Sequence, residues 1–223
     1  MLRQVECSVV RGPFSGLRLP ELGAWSDYDI VAKILGSYER EIFEAIESEI
    51  ARRPDVIVNI GASEGYYAIG LKRRLPDAEV YTYDIDERSF PVLDRCMSQN
   101  GVKVVRLDKF DYGHPLDGVI SLSGKTALFV LDCEGYENHV VDMPRSVVAN
   151  SSFIIELHDL FMPGTRERLL EFLSPSHSIT IINQQIRQPS DFPELAELRR
   201  PVAQLLLDEF RHDAMQWLYA VPK

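Results

Sequence analysis

One stretch limits the fold of this chain more than any other: VIVNIGASEGYYAIGLKRRLPD, residues 56–77. VIVNI is a short apolar run rich in β-branched residues between Pro54 and Gly61, too short for a helix, and it reads as a buried strand. The following EGYYAIGLKRRLPD sets Ala68, Leu71 and Leu75 on one helical face and stops at Pro76, because the residue before a proline is disfavoured in helix. A strand, a tight turn carrying Gly61 and Gly65, and a helix are therefore expected in direct succession.

The pattern repeats. EVYTYD is a second strand, and Ser89 is expected to cap a helix whose Phe90, Leu93 and Met97 share a face before the Asn100-Gly101 stop. VKVVRL, ALFVLD, SFIIELH and HSITIIN supply four more strands, with helices expected over residues 137–149 and 164–173, and the apolar MQWLYAVP is a seventh strand able to insert antiparallel. EREIFEAIESEIARR forms an additional helix leading into the sheet. Alternation of this kind predicts an α/β fold: a Rossmann-like three-layer sandwich with a mostly parallel seven-stranded sheet and an antiparallel last strand. Residues 1–36 look separate, with VECSVVRG and LRLP flanking Gly12, Pro13 and Gly16 as a β-hairpin cap on a main domain of residues 37–223. An excursion over about residues 184–213 carries Pro189, Pro193, Pro201 and the run PVAQLLLDEFRH; it is a helix packed on the sheet edge, a substrate lid or a homodimer contact.

Charge narrows the function. With 34 acidic and 24 basic residues among 223, the net charge of −10 opposes binding to nucleic acid or an anionic membrane and favours a small molecule or a basic partner. Cys7, Cys96 and Cys133 lie far apart without a CxxC pair, so neither a disulfide framework nor a zinc site is indicated, and a reducing cytoplasm fits. No apolar run reaches the length needed to span a bilayer, and a soluble, unprocessed chain is expected.

The turn after the first strand is not the dinucleotide pattern G-x-G-x-x-G, since Ser63 and Glu64 interrupt it. An acidic Glu64 would repel a pyrophosphate, and a ligand with its own ammonium or sulfonium is the better electrostatic match. Asp84 ends the second strand, where a carboxylate either accepts hydrogen bonds from a ribose diol or serves as a strand-end cap. Asp86 reads as a capping residue; Asp108 and Asp111 either approach an adenine amino group or are loop carboxylates. Asp132 and Glu134, with Gly135 allowing close approach, can orient a hydroxyl or hold a divalent cation, or they cap the helix after them. Glu156, His158 and Asp159 end the fifth strand, and His158 either takes a proton near neutral pH or is structural. Cys133 is expected to point into the core, and His114, His139, His177 and His212 have no comparable setting.

NIGASEGYY, YTYDID, LDCEGYE (residues 131–137) and IIELHD (154–159), four ordered motifs at strand ends, resemble a class I S-adenosylmethionine-dependent methyltransferase, and more narrowly the FkbM-type family. LGSYERE at 35–41 also resembles a segment found in relatives, although Ser37 as an N-cap explains much of it. The resemblance covers about residues 35–183 and makes residues 37–223 a methyltransferase domain. It implies that the cofactor is held by Tyr38, Glu39, Asn59, Gly61, Ala62, Ser63, Glu64, Gly65, Tyr66, Asp84, Ile85 and Asp108, and that Asp132, Glu134 and His158 are catalytic. Asn59 stands where the family has an acidic residue, so contact with the methionine amino group passes to Glu64 or to water; Asp84 stands where Glu is more frequent. The implied reaction is O-methylation of a small-molecule or sugar hydroxyl, with S-adenosylmethionine as cofactor and a divalent cation as an option. The competing readings are a nucleoside-binding regulatory protein without turnover and an NAD-dependent oxidoreductase, the latter opposed by the missing third glycine.

Overall fold

A computed structural model describes residues 7–21, 29–114, 120–209, 211 and 215–223. Residues 1–6 and 22–28 of the expected cap, and His212 in the excursion, lie outside the described residues. The sheet contains β1 (Val56–Ile60), β2 (Glu79–Tyr83), β3 (Val105–Leu107), β4 (Ala127–Leu131), β5 (Ser151–Leu157), β6 (His177–Asn183) and β7 (Gln216–Pro222), in the order β3-β2-β1-β4-β5-β7-β6. β1 to β5 run parallel, while β7 pairs antiparallel with both β5 and β6. The expected fold class and the antiparallel insertion of the last strand are therefore both observed.

The helices are α1 (Ile30–Leu35), α2 (Phe43–Arg52), α3 (Tyr66–Arg74), α4 (Ser89–Asn100), α5 (Arg145–Val148), α6 (Thr165–Leu173) and α7 (Arg200–Leu205). Because successive strand residues point to opposite faces, the apolar runs of the central strands feed two cores. Ile57, Leu128, Val130 and Ile154 pack with α2, α3 and α4; Val56, Val58, Phe129, Phe153 and Ile155 pack with α5 and α6. Each fully buried aliphatic or aromatic side chain contributes about 1.5–3 kcal/mol.

Several local expectations give way. Among the described residues the N-terminal hairpin is short, with an antiparallel bridge from Ser8 to Arg18 and backbone bonds from Val9 N–H to Leu17 O at 2.8 Å and from Leu19 N–H to Cys7 O at 2.9 Å, and it is not separate: Val9, Phe14, Leu17 and Leu19 join the α3 side of the main core. Ser89 lies inside the first turn of α4 with Arg88 at the N-cap, and its buried hydroxyl has no hydrogen-bond partner among the described residues. Asp86 accepts the Arg88 amide at 3.0 Å instead. In place of a helix over 137–149, a 3-10 segment runs from Tyr136 to Asp142 and four-residue α5 follows. Pro144 explains the break: it lacks an N–H and holds Met143 extended, at ψ 140°. In the excursion, Phe192, Leu195, Ala203 and Leu207 close on Leu35 and form a small third core against α1.

Candidate active site

The strand order reverses direction between β1 and β4, and in open α/β sheets the crevice outside the carboxyl ends at such a point receives the ligand. A cavity of about 410 Å³ opens there. Of the expected cofactor residues, Tyr38, Gly61, Ser63, Asp84, Ile85 and Asp108 line it; Glu39, Asn59, Ala62, Glu64, Gly65 and Tyr66 do not. Asp132 and Glu134 line its other end, with His158 behind them. Its walls carry six carboxylates, Asp29, Asp84, Asp86, Asp108, Asp132 and Glu134, against Lys33 and Lys109.

The glycine turn is built for close packing. Gly61 has φ +80°, and a Cβ on it would sit 1.6 Å from the backbone oxygen of Asp132. Its missing side chain therefore lets the end of β1 meet the end of β4, which differs from the expected approach to a ligand. Gly65, at φ +93°, makes room in the same way for Leu93 of α4. The turn's amides are satisfied internally: Gly61 and Ala62 donate to Tyr83 O, Ser63 to Asp84 Oδ2 at 2.7 Å and Gly65 to Ala62 O. A phosphate would find these donors already used.

Asp84 thus braces the turn and, through Oδ1, accepts the Asp86 amide at 2.8 Å. Each oxygen keeps a lone pair for a further donor. Ile85 beside it is 75% exposed, an uncovered apolar surface, and buried Phe110 and Tyr112 line the same cavity. Asp111 is occupied as a loop carboxylate, accepting the Gly113 and His114 amides.

Glu64 differs from expectation. It is buried in an ion pair with Lys33, a residue the sequence did not single out, and it accepts Ser63 Oγ at 2.8 Å. Burial pushes the Glu64 carboxyl up, but the Lys33 ammonium outweighs this and holds it below the usual carboxylate range. Lys33 also pairs with Asp29 at 2.8 Å and lies 4.7 Å over the Tyr38 ring. Glu64 is thus neutralised and unavailable to a ligand ammonium; the cavity's acidity comes from the other carboxylates. Asn59 is fully buried and donates to Val130 O at 3.3 Å, bracing β1 to β4, and its Oδ1 has no partner among the described residues. Tyr66 is core, packed edge-on against Phe14, Tyr38 and Tyr67. The Ser37 hydroxyl donates back to Ala32 O at the end of α1 instead of capping a helix.

At the other end, Glu137 organises the rim. Its carboxylate accepts the amides of Cys133 at 2.6 Å and Gly135 at 2.8 Å, and His158 Nδ1 lies 3.0 Å from its Oε1. Burial raises the Glu137 carboxyl, and the His158 hydrogen bond with these amides more than offsets it, so the group is held low. His158 Nε2 then faces Glu134 Oε2 at 3.5 Å and Asp132 Oδ1 and Glu156 Oε2 at 3.7 Å. Burial pushes its imidazole down; the Glu137 hydrogen bond and the surrounding carboxylates together raise it above its ordinary value. Burial and the Asp132 charge raise Glu134. Cys133 is partly buried against the Tyr112 hydroxyl, at 3.4 Å, and burial pushes its thiol far up, away from nucleophilic chemistry.

The excursion supplies a cation that no motif announced. Arg211 pairs with Glu39, Glu156 and, at 2.9 Å, Glu209, while Arg187 pairs with Glu41 and Glu209 and donates to Ser37 O. Tyr67 donates to Glu39, whose carboxyl is pushed up to about 8, chiefly by burial, against the pull of Arg211. Glu156 is raised likewise. Glu39, Ser63 and Glu134 all have positive φ, at 47°, 48° and 55°, so three of the five described non-glycine residues in that strained region cluster at the site. Glu137 was legible as the third acidic residue of LDCEGYE; Arg211 left no local signal.

No protein-family model and no curated protein matches the sequence. Solved structures share the fold. The O-methyltransferase from Bacillus cereus in complex with SAH is 14% identical, with 83% of this chain and 81% of that chain covered at a TM-score of 0.53. The O-methyltransferase TomG from Streptomyces achromogenes in complex with SAM is 13% identical over 79% and 77%, TM-score 0.52. An rRNA methylase from Streptococcus thermophilus is 13% identical over 83% and 98%, TM-score 0.51. At these identities the likeness is one of fold.

Proposed function

We propose that the protein is an S-adenosylmethionine-dependent methyltransferase that methylates a hydroxyl of a small-molecule or sugar acceptor. The observation that carries this reading is the acidic cavity at the strand reversal, with Asp84, Ile85 and Asp108 at one end and Asp132 and Glu134 at the other. The residues fit the cofactor: Asp84 retains acceptor capacity for a ribose diol, Ile85 offers an apolar face to a planar base, and the carboxylate excess suits a cationic sulfonium and ammonium. A dinucleotide fits less well, because the turn's amides are used internally and the walls are acidic. The finer FkbM-type likeness is supported by the order of its four motifs. The net charge of −10 speaks against a nucleic-acid acceptor, and among the described residues no helix is long and apolar enough to cross a membrane.

S-adenosylmethionine supplies a methyl carbon made electrophilic by its sulfonium. The protein's own work is to orient an acceptor hydroxyl and take its proton, for which Glu134 and Asp132 are at the cavity wall. Orientation provides most of the gain, and proton removal about 10²–10⁴-fold more. His158, behind the two carboxylates, positions them and is itself oriented by its hydrogen bond with Glu137. Asp132, Glu134 and His158 also offer three ligand atoms within 4.8 Å of one another, an oxygen and nitrogen set that a divalent cation would accept; full activity in EDTA would remove that option.

Calorimetry with S-adenosylmethionine, S-adenosylhomocysteine and NAD tests the reading. Both sulfur nucleosides should bind and NAD should not; micromolar NAD binding with failure of both would overturn it. A binding protein without turnover would share the nucleoside end, and cofactor consumption across an acceptor panel separates the two. The assembled rim of carboxylates and imidazole favours the enzyme.

A further inference from the structure

Beside the rim lies a group of exposed apolar side chains. Tyr136, Leu160, Phe161 and Met162 are large apolar side chains that remain between 42% and 57% exposed. Phe161 and Met162 lie against the turn that carries Tyr136: a Cβ on Gly135 would lie 3.4 Å from Phe161 Cβ and 3.7 Å from Met162 Cβ, and Tyr136 follows Gly135 in the chain. These are ordinary van der Waals distances, so the turn after β4 and the loop after β5 lie against each other there, and glycine serves Gly135's positive φ of 104°.

The exposure is held in place by the backbone. The amides of Phe161 and Met162 both donate to His158 O at 3.0 Å, and Thr165 Oγ1 donates to Met162 O at 2.7 Å, which pins the loop at its start and its end. The Phe161 ring stacks on the His158 imidazole, with centroids 5.8 Å apart and planes 18° from parallel, and it is still half exposed. Tyr136 lines the cavity together with Asp132 and Glu134, so the apolar shelf borders, at Tyr136, the carboxylates placed to take the acceptor's proton. A contiguous apolar surface on a pinned loop at a cavity mouth marks a binding site.

Resting on the methyltransferase reading, the geometry points to an acceptor whose hydroxyl sits on an aromatic ring. We infer that this ring stacks on the outer part of Phe161, flanked by Tyr136 and Met162, with its hydroxyl turned to Glu134 and Asp132. Charge selects within that class: the carboxylates at the rim repel an anionic acceptor and suit a neutral phenol. A fully hydroxylated sugar would leave the shelf's apolar area in water and gain little from it.

The test uses the intact protein saturated with S-adenosylhomocysteine. 2-Naphthol, followed by its own fluorescence, and methyl β-D-glucopyranoside, followed by calorimetry, are titrated separately. Naphthol should bind at least about tenfold more tightly, and Phe161→Ser should weaken it by about tenfold or more while the S-adenosylhomocysteine dissociation constant stays unchanged. Phe161→Tyr, which keeps a stacking ring, should retain the wild-type affinity. Equal or tighter glucoside binding, or naphthol binding indifferent to Phe161→Ser, would overturn the shelf while leaving the cofactor reading intact. Failure of the unmodified protein to bind S-adenosylhomocysteine would overturn the cofactor reading itself.

Discussion

The two ends of the cavity are built in opposite ways. At the Asp84 end, the carboxylates are satisfied by backbone amides: Asp84 by Ser63 and Asp86, and Asp86 by Arg88. At the rim, Glu39, Asp132, Glu134, Glu137, Glu156 and His158 come from widely separated parts of the chain, and Arg211 reaches them from the excursion. Carboxylates held by backbone amides can be replaced one at a time, whereas buried charges that share partners stand or fall together. The Asp84 end can thus be stable independently of the rim.

The sharpest attempt to break this contrast is Arg211→Met. Removing the cation shared by buried Glu39 and Glu156 should cost about 3–5 kcal/mol in chemical denaturation. Adding Glu39→Gln should recover part of the loss; strictly additive effects would show that the rim is not one unit.

Next in size is Asp132→Asn, which should lower turnover by about two to four orders of magnitude while cofactor affinity, measured by calorimetry, is retained. Near-wild-type turnover here and in His158→Ala would put the acceptor elsewhere. At the opposite end, Asp84→Ala should weaken cofactor binding by about 1.5–3 kcal/mol, on the order of ten- to a hundredfold, in a protein that still folds. An unchanged dissociation constant would remove Asp84 from the site.

The last test reads a slope with pH. Glu39 is raised from 4.5 to about 8 on folding, so the folded protein holds that proton more tightly than the unfolded chain. The stability it contributes is complete below pH 4.5 and is lost as pH climbs to about 8. Denaturation midpoints of the wild type should therefore fall more steeply across that window than those of Glu39→Gln. Identical slopes would mean that Glu39 does not carry the proton.

How far each region was legible follows from the same contrast. The turn from Gly61 to Gly65, the helix after it and Asp84 lie within one stretch of chain, where strand and helix periods and strand-end position speak directly. Glu64 misled because its charge looked free, and nothing local connects it to Lys33, 31 residues earlier. Glu137 sat inside a quoted motif without a role, since its function is to hold His158, 21 residues later.

From the sequence alone came the alternation of strands and helices, the antiparallel last strand and the strand-end positions of Asp84, Asp132, Glu134 and His158. These depend on short-range periodicity and on the rule that side chains at carboxyl strand ends face the crevice. Only the tertiary structure decided which charges are neutralised. Lys33 takes Glu64 out of the cavity, Arg211 holds Glu39 and Glu156, and Gly61 yields its space to Asp132 instead of to a ligand. The physical reason is that a charge's behaviour depends on burial and on neighbours a few ångströms away, and folding draws those neighbours from anywhere along the chain.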